Sequence, residues 1–159
     1  MAHDSQLDIQ VQALRVLVAE FDEAIRSAWS AQLAARCGPV TVLEASCGRD
    51  AVRLLLDERP DLVVVSLRLP EGLMANPQGG FQVILDAADL GVPAVLVSGP
   101  LDEARCRQLD HLGVLCVRRD DAASHVGRAV EEALARYAPS PTSARQASWS
   151  RSARSAIAS

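Results

Sequence analysis

Pro60-Asp61-Leu62-Val63-Val64-Val65-Ser66-Leu67-Arg68-Leu69-Pro70 is an apolar run that ends in a serine and passes through a short polar turn into a proline. Consecutive β-branched residues bounded by prolines predict a strand buried on both faces, the kind that lies in the middle of a parallel sheet covered by helices. In open α/β sheets, binding and chemistry gather beyond the carboxyl ends of the strands. Ser66 therefore occupies a place where a functional side chain is expected, although a serine needs a neighbouring base to act as a nucleophile.

Upstream, Leu14 to Ala19 reads as a first strand, followed at once by Glu20-Phe21-Asp22-Glu23. Asp22 suits the N-cap of a helix that carries Ile25, Trp29 and Leu33 along one stripe and stops at Gly38-Pro39. A second strand, Val40 to Ala45, leads through Ser46-Cys47-Gly48 into a helix from about Asp50 to Glu58, with Ala51, Leu54 and Leu55 facing inward. Downstream, Glu71 to Gly79 is too rich in Gly, Pro and Asn to be helical, and a third helix begins near Gly80, presenting Phe81, Ile84, Leu85 and Ala88. A fourth strand, Ala94 to Val97, ends at Ser98-Gly99-Pro100, and a helix from about Leu101 to Leu112 stops at Gly113. A short fifth strand, Leu115 to Val117, delivers Arg118-Arg119 and then Asp120 or Asp121 as the cap of the last helix. There Val126, Ala129, Val130, Ala133, Leu134 and Tyr137 mark one packed face.

Five strands alternating with five helices through short connections predict an α/β fold: a doubly wound, five-stranded parallel sheet of order 2-1-3-4-5. Glu20, Asp22 and Ser66 are then expected to converge at the switch point between strands 1 and 3. The chain divides into an N-terminal arm, 1–12, a folded domain, 13–137, and a Ser/Ala/Arg-rich tail, 138–159, whose composition predicts disorder.

All 16 basic residues are arginine. Thirteen of them stand against 20 acids in 1–137, a net charge of −7, while the tail carries +3. An acidic body argues against a nucleic-acid surface, and the tail's arginines are too sparse to supply one. No apolar run approaches the roughly 18 residues of a membrane span, so no membrane partner is expected and a cytoplasmic location is. Cys37, Cys47, Cys106 and Cys116 form no C-x-x-C pair and no cluster with His3, His111 or His125, so buried, reduced thiols are expected rather than a metal site.

Three stretches together, Val16-Leu17-Val18-Ala19-Glu20-Phe21-Asp22-Glu23, Arg59 to Pro70 and Val97-Ser98-Gly99, resemble the receiver domain of bacterial response regulators. The resemblance covers about Leu14 to Tyr137 and implies the flavodoxin-like, CheY-like (βα)5 fold. It also implies the family's chemistry, which is phosphoryl transfer to an aspartate after strand 3. Acids after strand 1 hold Mg²⁺ there, a hydroxyl follows strand 4 and a lysine follows strand 5. Carried across, Ser66 stands at the acceptor position and Phe21 where the principal metal-binding acid is usual. Glu20 matches the first acid and Asp22 lies one place on. Ser98 fits the phosphoryl-binding hydroxyl and Arg118 the lysine. A serine has no carboxylate to form an acyl phosphate, and Mg²⁺ needs several hard oxygen ligands. The resemblance with these departures implies a pseudo-receiver that is not an enzyme, binds no metal or cofactor and acts without phosphorylation. Arg118 is expected to pair with Glu20 or Asp22 in place of metal and lysine.

The resemblance further implies a partner surface on helix 4, strand 5 and helix 5, for a protein partner or for self-association. Arg105, Gln108, His111, Arg119 and His125 would lie there, and the same residues also read as an ordinary solvated face. Two alternatives compete with this reading. An enzyme or cofactor-binding domain on a similar fold lacks its marks: neither Val65-Ser66-Leu67 nor Val97-Ser98-Gly99 is a G-x-S-x-G elbow, and acids rather than glycines follow strand 1. A receiver-like input domain of a transcriptional regulator would need a DNA-binding unit elsewhere.

Overall fold

The computed structural model describes residues 13–71, 76 and 78–137. The arm, the tail and most of the loop after Pro70 lie outside them, as does the side chain of Tyr137. The chain alternates β1 (Leu14–Ala19), α1 (Glu23–Arg36), β2 (Val40–Ala45), α2 (Gly48–Glu58), β3 (Leu62–Ser66), α3 (Gly79–Asp89), β4 (Ala94–Ser98), α4 (Glu103–His111), β5 (Val114–Arg118) and α5 (Ala122–Tyr137). The sheet is wholly parallel in the order β2-β1-β3-β4-β5, as the sequence predicts. A single 3₁₀ turn, Arg119–Asp121, separates β5 from α5, so both acids expected to cap that helix belong to the turn before it.

Strand alternation sorts the core into two layers. Leu14, Val16 and Val18 of β1, Leu62 and Val64 of β3, Val95 and Val97 of β4 and Val117 of β5 face α1 and α5, where they meet Trp29, Leu33, Val126 and Val130. Leu17, Val63, Val65, Leu96 and Val114 face the other way, onto Leu55, Val83, Ile84 and Leu109. Every residue of β3 and β4 is buried, which accounts for their unbroken apolar sequences. Each fully buried Leu, Val or Ile contributes about 1.5–3 kcal/mol, so these strands anchor whatever follows their ends. Asp61 has a structural role at the start of β3: its carboxylate accepts the Arg15 backbone N–H at 2.9 Å, and its own N–H donates to the Arg15 carbonyl.

The helices depart from the sequence reading in detail. Ile25 is 39% exposed and lines a surface hollow with Phe21, so α1 buries only Trp29 and Leu33. In α3 the buried stripe is Gly80, Val83, Ile84 and Ala87, an i, i+3, i+4, i+7 set, and Phe81, Leu85 and Ala88 sit at its margins. The expected stripe was one position out of phase because Phe81, the largest residue, is stacked beneath Arg105, whose guanidinium carbon lies 4.0 Å from the ring centroid. α2 opens at Gly48 rather than near Asp50, and α4 begins only at Glu103, capped by Asp102.

Gly79 and Gly80 let α3 start directly against the end of β3. A Cβ at Gly79 would lie 1.9 Å from the Leu69 carbonyl oxygen, and one at Gly80 would lie 2.0 Å from the Ser66 carbonyl oxygen. The Gly80 N–H donates to the Leu67 carbonyl at 2.9 Å, locking this approach. Both obstacles are backbone, which cannot yield as a side-chain tip does. Gly80→Ala should therefore lower stability by about 3 kcal/mol or more. Gly99→Ala, with nothing within 4 Å of the added carbon, should stay within about 0.5 kcal/mol. Urea unfolding midpoints of the two variants check the contrast.

Candidate functional site

The carboxyl ends of β1, β3, β4 and β5 deliver Glu20, Ser66, Ser98 and Arg118 to one edge of the sheet, and the 3₁₀ turn adds Arg119. Glu20, Ser66 and Ser98 are buried despite being polar, at 2%, 1% and 5% exposure. Glu20 and Ser66 are joined by Arg119: one guanidinium nitrogen donates to Glu20 Oε1 at 3.2 Å and to Ser66 Oγ at 3.0 Å. The other carboxylate oxygen of Glu20 accepts the Asp22 backbone N–H at 2.8 Å. Arg26 donates to the Glu20 carbonyl at 2.8 Å and pairs with Glu44 of β2, which fixes the end of β1 from its other flank.

The pairing expected of Arg118 is made by Arg119. Strand alternation is the cause. Leu115 and Val117 belong to the α1/α5 side of the sheet, the side that carries Glu20 and Ser66, whereas Arg118 steps to the opposite parity beside Ser98. The chain returns to the first side one residue later, at Arg119. Asp22 does not converge on Ser66 either. Its carboxylate caps α1, accepting the N–H groups of Ala24 at 2.9 Å and Ile25 at 3.1 Å. The N-cap geometry of an acid directly before a helix wins over any role in the cleft.

Phe21 is 65% exposed and lines a shallow hollow with Ile25, Trp29 and Ala122. Ser98 Oγ donates to the Gly99 carbonyl at 2.9 Å. The donor set does not suit Mg²⁺: Glu20 is bound by a guanidinium, Asp22 by backbone N–H groups, and Ser66 accepts from the same guanidinium. Among the described residues no three His, Cys, Asp or Glu side chains come together as metal ligands. Arg68, not singled out from the sequence, lines the cleft above Ser66 together with Arg118 and Arg119. Its only sequence mark is its place two residues beyond Ser66 in the loop that must cross the strand ends.

Three solved structures show what the arrangement is similar to. The response regulator domain of Thermotoga maritima CheB is 15% identical, with a TM-score of 0.64 over 82% of this chain and all of that one. This is the receiver fold. The signal receiver domain of the putative response regulator NarL from Mycobacterium tuberculosis gives 0.59 at 21% identity over 76% of this chain and 95% of its own. A response regulator receiver protein from Pseudomonas putida gives 0.61 at 22% over 77% and 99%. No protein-family model matches the sequence, and no curated protein does. The receiver likeness is thus carried by the backbone, at identities too low to carry side-chain chemistry with it.

The residues expected on the α4–β5–α5 face have divided roles. Gln108 and His111 are exposed. Arg105 lies over Phe81, Arg119 turns into the cleft, and His125 Nδ1 is 2.9 Å from Ser124 Oγ and 3.0 Å from the Asp121 carbonyl, tying down the 3₁₀ turn. No described helix is long and apolar enough to cross a membrane. The cysteines are unpaired but not uniformly buried: Cys37 and Cys47 are half-buried, whereas Cys106 and Cys116 are exposed. Cys116 lies on edge strand β5, which has a neighbour on one side only. Although the residue is exposed overall, partial burial of its thiol, followed by the nearby Cys106 and Asp110 of α4, pushes its pKa up to about 11.

Two predictions come from these environments. Arg119→Ala strands the Glu20 carboxylate, whose side chain is 3% exposed, while the arginine it loses is 41% exposed. The cost should be about 2 kcal/mol, below the 3–5 kcal/mol of a fully buried pair. Ser66→Ala should cost about 1 kcal/mol or less, and Arg118→Ala should leave stability unchanged; thermal melts of the three variants rank them. At pH 8 the thiolate fraction of Cys116 should be about 100-fold below that of an unshifted thiol. Its greater basicity recovers only part of the lost rate. Alkylation of Cys116, followed by peptide mass mapping, should be roughly tenfold or more slower than that of a free cysteine peptide.

Proposed function

We propose that this chain is a pseudo-receiver: a signalling module of the two-component type that works through protein contacts and does not depend on phosphorylation. The observation that carries the reading is the Arg119 bridge. The family's chemistry brings a nucleophilic carboxylate and a metal ion to the end of β3, whereas this chain has Ser66 there, with a guanidinium already seated between Ser66 and Glu20. A fixed positive charge in this position neutralises the buried acid permanently. The domain then holds one arrangement of its strand ends with no phosphoryl group to trade for another. Among the described residues no histidine contacts Ser66, the Glu20 carboxylate is taken up by Arg119, and the Ser66 hydroxyl accepts from that same arginine, which does not take its proton.

The exposed part of the α4–β5–α5 face, around Gln108 and His111, is the surface proposed to meet a protein partner or a second copy of the chain. The packed Arg105–Phe81 pair beside it offers a rigid cation–aromatic edge.

Incubation of the full chain with Mg²⁺ and a small-molecule phosphodonor, followed by intact-mass measurement, tests the reading. No adduct is expected. A stable gain of one phosphoryl group would overturn it. Ser66→Asp alone should also stay unmodified, because the incoming carboxylate meets Arg119 and no metal-binding acid replaces Phe21; an adduct on that variant would show that the bridge is no barrier.

A further inference from the structure

Among the described residues three large apolar side chains are markedly exposed, Phe21, Ile25 and Leu56, and the first two meet in one hollow. The hollow measures about 470 Å³, lies between the starts of α1 and α5, and has Ala28, Trp29, Ala122 and Ala123 on its walls. Scattered apolar residues on a surface are ordinary, but a contiguous apolar hollow with a polar rim marks a place where something docks. The rim here is acidic. Asp22 lines it, Glu23 follows Asp22, and Asp120 and Asp121 lead into Ala122, all four exposed. Within the lining Glu20 and Arg119 offset each other, and Arg68 is the remaining base. Beyond Tyr137 the charge has the opposite sign: Arg145, Arg151 and Arg154 give that segment its +3, and Trp149 stands among them.

We propose that this hollow is the docking site of the chain's own C-terminal segment, with Trp149 seated against Phe21 and Ile25 and the flanking arginines beside the acidic rim. The reach is sufficient. α5 is 16 residues long, about 24 Å, and the hollow lies at its start. Trp149 comes twelve residues after Tyr137, a span of about 40 Å when extended, so the segment can turn back along α5 and arrive with slack. A short tether holds its end at an effective concentration on the order of 1 mM, and a contact too weak to retain a free peptide is then well occupied within one chain. An indole offers one aromatic face to Phe21 and an electron-rich face to the Arg68 guanidinium. Ile157, the other large apolar residue of the segment, offers neither. Docking covers the hollow against other proteins and leaves the α4–β5–α5 face open, so the two surfaces are independent.

Fluorine-19 NMR of the full chain labelled with 5-fluorotryptophan tests this. Two resonances are expected, and Trp149→Phe assigns them. In the parent the Trp149 resonance should stand away from its position in a labelled synthetic peptide of residues 138–159, and dilution should not move it. Phe21→Ser/Ile25→Ser should lower the docked fraction by about tenfold or more, returning Trp149 toward the peptide position, while the Trp29 resonance stays apart from it and reports an intact core. Leu56→Ser, at the exposed apolar residue outside the hollow, should leave Trp149 where it is in the parent. Charge reversal within the segment alone, Arg145→Glu/Arg151→Glu/Arg154→Glu, should weaken docking about threefold or more at low salt. A Trp149 resonance at the peptide position in the parent overturns the proposal. So does a displacement that survives in Phe21→Ser/Ile25→Ser or in the charge-reversed segment, one lost equally in Leu56→Ser, or one lost on dilution, which would make a second copy the occupant.

Discussion

Burying a carboxylate removes it from water, and the loss is recovered only if other groups supply its hydrogen bonds and balance its charge. Glu20 is such a carboxylate, at the end of a strand whose other residues are almost wholly apolar. Its two oxygens are met by a backbone N–H from its own turn and by Arg119 from the turn after edge strand β5. The second contact spans 99 residues of sequence and closes the carboxyl edge of the sheet over β3. With Arg119 placed, Ser66 gains a donor, the 3₁₀ turn gains a fixed position and the start of α5 follows. Above it, the Arg118 and Arg68 side chains make no ion pair with any described residue, which gives the cleft its charge.

The bridge holds its geometry because the strands beneath it cannot shift. β3 and β4 are buried along their full lengths, and a slip of one residue would exchange the two apolar layers. Gly80 pins the other flank by bringing α3 to within contact of the Ser66 carbonyl. Ser66 is thus fixed by backbone on one side and by Arg119 on the other. A hydroxyl is small enough to fit between them and needs no further partner.

The fold was legible because its determinants are local. Apolar runs of five or six residues, the Asp22 cap and the glycines that end helices each announce themselves within a few positions, and their alternation permits few topologies. The site was legible only in outline, since Glu20, Ser66 and Ser98 are placed by strand ends alone. Its wiring depended on side chains from separate elements. Arg118 and Arg119 are adjacent and chemically identical, so only parity along β5 distinguishes them. That parity was present in the sequence: Val117 belongs with the buried set that faces α5, and the residue two places on returns to its side. Asp22 was read twice, as a helix cap and as a member of the cleft, and one carboxylate cannot meet both demands. Arg68 escaped notice because a charged residue in a loop carries no periodic mark.

The exclusive use of arginine gains a physical meaning at this edge. A lysine ammonium is a compact, strongly hydrated charge, whereas a guanidinium is flat, more weakly hydrated and offers five donors in fixed directions. Arg119 must leave part of its hydration to reach a carboxylate that is almost fully buried, and must satisfy a hydroxyl with the same nitrogen. Both tasks favour arginine. In the receiver chemistry implied by the resemblance, a divalent cation offsets charge that arrives and departs with a phosphoryl group. Here the counter-charge is covalently part of the chain, so the balance at the sheet edge cannot be switched by losing a metal ion. Above it, the Arg68 and Arg118 side chains line a cleft and make no ion pair with any described residue.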